Sequence, residues 1–173
     1  MKALFDLNEW KIIEHNFDPS KQEAAESIFS IGNGAFGQRA NFEEKYSGKS
    51  LKGSYVGGIY YPDKTKVGWW KNGYPEYFAK VLNSCNWIGI NIEVNEQQLD
   101  LANCQVDSFY RELDMFRGIL TRKFICSFKD GKKIEVESIR FCSMHDDQIG
   151  AISYSITPVN FSGQVKFIPY LDF

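Results

Sequence analysis

A chain of 173 residues fits one domain, and its 43% hydrophobic and 24% charged residues are the balance of a soluble globular protein. The formal net charge is −2 and no Lys/Arg-rich block occurs, which speaks against nucleic acid or an anionic membrane as the main partner. No run approaches the roughly 20 apolar residues of a spanning helix, and the start, Met1–Asp6, lacks the apolar core of a signal peptide, so a cytoplasmic location is expected.

Taken in order, Trp10–Glu14 is the first strand candidate. Asp18-Pro19 suits the start of a short helix over Ser20–Ala25, with proline in the first turn. Ile28, Phe29 and Ile31 then lead into Gly32-Asn33-Gly34, and Ala35–Arg39 lead out. Gly and Asn tolerate the positive φ of tight turns, so the chain is expected to reverse here as a hairpin. The same stretch, Gly32–Gly37, spells G-x-G-x-x-G. A dinucleotide site needs a helix after that motif and a parallel strand beyond it. Gly37–Phe42 has no apolar 3.6-residue period, so the turn is preferred.

Gly53–Tyr61 reads as a strand, with Gly57-Gly58 marking a bulge or a close backbone approach. Pro62–Gly73 is a polar loop that carries Trp69 and Trp70. Ile88, Ile90, Ile92 and Val94 alternate with polar or small residues, the mark of a half-buried strand. Asn95-Glu96-Gln97 turns it, and Gln98–Leu101 is expected to return beside it. The clearest hairpin joins Ile119–Phe128 to Lys133–Met144 through Asp130-Gly131. In its second arm Ile134 and Val136 take one parity and Ile139 and Phe141 the other, which predicts either a β-bulge near Ser138 or burial on both faces. Ile149–Pro158 and Gln164–Tyr170 supply two more strands. No long amphipathic helix appears, and many short strands with turns between them predict an all-β, antiparallel β-sandwich.

Few residues suggest chemistry. Cys85, Cys104, Cys126 and Cys142 form no C-x-x-C, and free thiols in a reducing compartment are expected. With only His15 and His145 beside them, neither a metal site nor a nucleophilic triad is expected. The close acidic pairs are Glu93 and Glu96, Glu112 and Asp114, Glu135 and Glu137, and Asp146 and Asp147. Alternate strand residues share a solvated face, so Glu135 and Glu137 are expected to be surface groups. Glu112 and Asp114, with Arg111 nearby, suggest a structural salt bridge. The stronger functional candidate is aromatic: Trp69, Trp70, Tyr74, Tyr77 and Phe78. Flat rings pack on the C–H faces of sugars, and Asn72 or Glu76 would add hydrogen bonds. The same rings equally suit a core or domain-interface plug.

The stretch Glu26–Glu44, ESIFSIGNGAFGQRANFEE, resembles the amino-terminal signature of glycoside hydrolase family 65. Val67–Val94, Arg111–Phe124 and Glu137–Gly163 resemble it in the same order, so the likeness runs nearly end to end. That family holds the maltose, trehalose, kojibiose and nigerose phosphorylases and related hydrolases. The resemblance implies a galactose-mutarotase-like super-sandwich, of which residues 1–173 are the first part or a short version. It implies no cofactor, with inorganic phosphate as co-substrate of the parent enzyme. It places the catalytic acid in a helical (α/α) barrel that nothing in this chain matches. An α-linked glucose disaccharide, that barrel and a second subunit are the implied partners. Phe116-Arg117 before Gly118, and Ala40, depart from the family's usual residues, which puts any one substrate in doubt.

Overall fold

The computed structural model describes residues 5–66 and 73–173. In chain order the elements are β1 (Asp6–Leu7), β2 (Lys11–Glu14), α1 (Gln22–Ile28), β3 (Ile31–Gly32), β4 (Phe36–Gln38), β5 (Ser54–Val56), β6 (Tyr60–Lys64) and β7 (Tyr77–Val81). They continue with β8 (Ile90–Val94), β9 (Gln97–Gln98), β10 (Gln105–Asp114), β11 (Ile119–Ser127), β12 (Lys133–Cys142), β13 (Gly150–Pro158) and β14 (Val165–Pro169). The strands pair antiparallel throughout.

A six-stranded sheet, β1-β2-β10-β11-β12-β13, is the foundation. Across its inner face lies the three-stranded sheet β14-β8-β9. Ile92, Val94, Leu99 and Leu101 pack there against Phe109, Phe124, Cys126, Phe128, Ile134 and Val136 to form the larger core. A second core joins α1 and β3 to the other end of the sheet through Ala25, Phe29, Ile31, Leu113, Leu120 and Cys142. The architecture is the antiparallel sandwich expected.

The hairpin at Gly32–Gly34 forms, with Gly34 at φ +90° and Asn33 Oδ1 accepting from the N–H groups of Ala35 (3.1 Å) and Phe36 (3.0 Å). Asn33 Nδ2 reaches across to donate to the carbonyls of Ser143 (2.7 Å) and Asp147 (3.0 Å), so the turn is anchored beyond its own hairpin. Gly53–Tyr61 is not one strand. It splits into β5 and β6 at Gly57-Gly58, where the Gly57 N–H donates to Ala35 O at 2.7 Å. A Cβ on Gly57 would stand 3.2 Å from that oxygen, the close approach anticipated for the glycine pair.

Two expectations fail. No register shift occurs between β11 and β12, so the bulge near Ser138 is absent, and β12 buries one face only. The parity continues as Ile134, Val136, Ser138, Arg140 and Cys142, with polar side chains filling two inner positions. The register shift of this sheet lies in β10, between Val106 and Ser108.

β13 is paired on one side only among the described residues. Its sequence, GAISYSITP, holds no charge, and Pro158 stands only at its end. Such an edge invites another strand. The 173-residue chain is therefore expected to self-associate through antiparallel β13 pairing. Ser153→Lys with Thr157→Lys, both on the exposed face of the strand, should shift sedimentation to monomer. A wild-type chain that stays monomeric at every concentration would contradict this.

Candidate functional site

Of the aromatic group singled out in the sequence, Trp69 and Trp70 lie outside the described residues. Tyr74, Tyr77 and Phe78 sit at the β6–β7 ribbon, 49%, 50% and 43% exposed. The Tyr74 and Phe78 rings meet edge-on, 6.2 Å between centroids. Tyr60, Tyr61 and Val81 add further exposed apolar surface on the same ribbon. In the two strands, Asp63 is half-buried and the remaining positions are exposed. Among the described residues the ribbon pairs with no third strand, which is marginal in water, and its large exposed apolar side chains lie on both of its faces.

The second constellation is buried. Ala40–Glu44 runs between the sheets without regular secondary structure, yet all five residues are buried. Buried backbone must find partners, and two arginines of the large sheet supply some of them. Arg140 donates to the carbonyls of Arg39 and Asn41, each at 3.0 Å, and Arg111 to that of Ala40 at 3.4 Å. Ile90 N–H donates to Glu43 O at 2.9 Å, tying the segment to the opposite sheet.

The side chains complete this arrangement. Strand pairing sets Glu14, Arg111, Arg122, Ser138 and Tyr154 in one row across β2, β10, β11, β12 and β13. Two arginines directly opposite would repel. Carboxylates separate their charges instead. Arg111 grips Glu14 with Nε at 2.8 Å and Nη2 at 2.6 Å. Arg122 grips Glu44 with both Nη atoms at 2.6 Å and reaches Glu43 at 2.6 Å. Arg140 takes the other oxygen of Glu43 at 3.0 Å, and Tyr154 Oη donates to Glu44 at 2.9 Å. Fork geometry of this kind is what makes arginine suit a buried carboxylate. Phe42 lies under Arg122, 4.3 Å from guanidinium carbon to ring centroid. Glu26, also buried, accepts from Gln22, Ser50 and the Leu51 N–H.

The charges do not balance evenly along the row. Burial raises the Glu14 carboxyl above its ordinary 4.5, and Arg111 offsets this only in part. Burial likewise lowers Arg111. At Glu43 burial again pushes upward, but Arg140 and Arg122, with a hydrogen bond to Ser138, outweigh it and hold the carboxyl below 4.5. The two acids thus act oppositely on stability. The Glu43 contribution is full above pH 4.5 and is lost as pH falls through its lowered folded value; that of Glu14 is full below 4.5 and is lost as pH rises through its raised value. Urea midpoints of wild type and Glu43→Gln should therefore converge as pH drops below 4.5. A constant gap down to the acid limit would contradict the assignment.

At least one acid of each close pair is held in a structural contact. Arg111 does not join Glu112 and Asp114, because successive strand residues face opposite ways; it turns inward to Glu14. Lys11 takes the outward position instead, 2.9 Å from Glu112 and 3.9 Å from Asp114. Glu112 also accepts from Tyr110 Oη at 2.5 Å. Glu137 pairs with Lys123 at 2.7 Å, and Glu93 with Lys166 at 3.2 Å. Asp146 Oδ1 accepts from the Gln148 N–H at 3.1 Å. A cleft of about 690 Å³ borders this network, lined by Glu44 and Phe42 together with Gln38, Asn41, Tyr46 and Tyr170. Gln38 Oε1, buried at its wall, has no hydrogen-bond partner among the described residues.

The family model "Glycosyl hydrolase family 65, N-terminal domain" matches residues 12–173. Maltose phosphorylase of Bacillus subtilis (strain 168) is 42% identical over 171 residues, 99% of this chain and 22% of that protein. Alpha,alpha-trehalose phosphorylase of Thermoanaerobacter brockii is 32% identical over 99% of this chain and 22% of its own length. Among solved structures, a putative kojibiose phosphorylase from human microbiome superposes with a TM-score of 0.78 at 32% identity, covering 91% of this chain and 21% of that one. The chain therefore spans about a fifth of the length of these relatives. The stretches that carry the sequence resemblance hold Glu26, Glu43, Glu44, Arg111, Arg122, Arg140 and Tyr154 of the buried network, while Glu14 lies outside them.

Proposed function

This chain belongs to glycosyl hydrolase family 65 as its N-terminal domain, and from that premise we propose that it is the scaffold, not the catalyst, of an inverting α-glucoside phosphorylase of the maltose phosphorylase kind. The 173 residues form one β-sandwich domain, and the reacting groups lie in a catalytic barrel outside it. The whole enzyme takes an α-linked glucose disaccharide and phosphate to β-glucose 1-phosphate and a free sugar. An inverting hydrolase needs one carboxyl as acid and another to activate water. A phosphorylase needs only the acid, because phosphate is already an anionic nucleophile.

The observation that carries the reading is the use to which this chain puts its buried carboxylates. Glu14, Glu43 and Glu44 are held by arginine forks, and Glu26 by Gln22, Ser50 and Leu51. A general acid has to reach a substrate oxygen, and groups this enclosed serve the fold. The exposed aromatic arm, Tyr74, Tyr77 and Phe78, is the surface that meets the barrel. A homodimer is part of the same proposal, supported by the apolar arm and the unguarded β13 edge. Four free thiols, two of them buried, support a reducing, cytoplasmic setting.

The test expresses the product of the complete reading frame and offers it maltose, trehalose, kojibiose and nigerose with and without phosphate. Phosphate-dependent release of β-glucose 1-phosphate from one of them is expected. Glucose released without phosphate would replace the phosphorylase with a hydrolase of the same family. A second reading, a stand-alone carbohydrate-binding module, draws support from the amide- and tyrosine-bordered cleft at Gln38. Calorimetric binding of these sugars by the 173-residue chain, lost in Gln38→Ala, would favour it.

A further inference from the structure

Cys104 packs against the larger core, of which Cys126 is a part. They come together because the 99–104 turn delivers Cys104 to the start of β10, and β10 pairs Val106 with Cys126 of β11. The two thiols differ in access. Cys126 is fully buried in the larger core, whereas Cys104 is half-buried. Cys104 also lines an open cavity of about 560 Å³, with Phe17, Tyr46, Lys49 and Val106.

We propose that Cys104 and Cys126 form a peroxide-sensitive thiol pair, in which Cys104 attacks the oxidant and Cys126 closes the disulfide. In the first step the Cys104 thiolate attacks one oxygen of hydrogen peroxide. The O–O bond breaks, hydroxide leaves, and Cys104 becomes a sulfenic acid. In the second, Cys126 gives up its proton and its sulfur attacks Cys104. The S–O bond breaks, and the released hydroxide takes up a proton as water. Two thiols and one peroxide thus yield one disulfide and two waters.

The surroundings favour this order. The neighbouring Cys126 thiol and a backbone hydrogen bond at Asp100 outweigh burial and the nearby Asp100 and Glu44 charges, so Cys104 is lowered to about 7. The Cys104 thiol and burial push Cys126 up, which keeps it protonated until Cys104 has been oxidised. The disulfide would fasten the 99–104 turn to β11 at the rim of the sandwich.

Dilute hydrogen peroxide, then denaturing alkylation, trypsin and mass spectrometry test this on the 173-residue chain. The expected product joins the peptide 81–111, through Cys104, to 124–129, through Cys126, and dithiothreitol reverses it. Cys104→Ser should abolish the link. Cys126→Ala should leave a Cys104 sulfenic acid that dimedone traps. The initial alkylation rate of Cys104 should be half-maximal near pH 7. Linkage through Cys85 instead, or oxidation of Cys142 ahead of Cys104, would overturn the proposal. So would an alkylation midpoint at the about 8.5 of an ordinary thiol.

Discussion

Arg122→Ala is expected to cost about 3–5 kcal/mol of folding stability, because it leaves two buried carboxylates without their cation. Glu43 and Glu44 are each 3% exposed, and Arg122 binds both at 2.6 Å. The strand row also explains why the loss would spread. With Arg122 gone, Glu44 keeps Tyr154 alone of these partners, and Glu43 keeps Arg140 and Ser138. Ala40–Glu44 would then lose part of what holds it between the sheets. Urea unfolding of the 173-residue chain measures the cost. The double variant Arg122→Ala with Glu44→Ala should cost less than the sum of the singles, by about 0.5–3 kcal/mol. Additive losses, or a single-variant cost under about 1 kcal/mol, would mean the row is a surface-like pairing of small effect.

Tyr77→Ser with Phe78→Ser is expected to separate the two roles of the domain. Both rings are about half-exposed on the β6–β7 ribbon, so the stability of the 173-residue chain should move by no more than about 0.5 kcal/mol. In the complete enzyme the same rings are proposed to anchor the barrel. Loss of such anchors costs about 2 kcal/mol or more, a fall of about thirtyfold in kcat/KM for phosphorolysis. Unfolding curves of the short chain and kinetics of the complete enzyme check the two halves. A large loss of stability in the short chain with unaltered kinetics would place these rings in the chain's own packing.

The sandwich was legible wherever the inner face of a strand is apolar. Ile88, Ile92 and Val94 alternate as expected and are buried, and so are Leu120, Phe124 and Cys126 in the first arm of the Asp130-Gly131 hairpin. Asp130-Gly131 and Gly32-Asn33-Gly34 turn where their backbone freedom predicts. The reading failed where the inner face is charged. β10 was not read as a strand because Arg111 occupies the buried position between Phe109 and Leu113. Arg140 and Ser138 likewise broke the parity of β12 and suggested a bulge that does not exist.

The buried network was missed for the same reason. Its acids lie in NFEE and its cations on three strands distant in sequence, and hydrophobic periodicity weighs only apolar residues. One signal was present. Arg111, Arg122 and Arg140 each hold the parity of apolar neighbours, and a long run of sequence resemblance includes two adjacent glutamates after Phe42. The aromatic arm was legible as a group but not as a ribbon, since Pro62–Gly73 reads as a polar loop and Gly53–Tyr61 as a single strand.

The account turns on the claim that this domain supports the chemistry without supplying a reacting group. Assaying the 173-residue chain and the complete reading-frame product side by side, for phosphate-dependent release of β-glucose 1-phosphate from maltose, tests it most directly. The account predicts turnover by the complete product and none by the chain alone. Turnover by the 173 residues alone would contradict it and return attention to the outward acids, Glu112, Glu135 and Glu137.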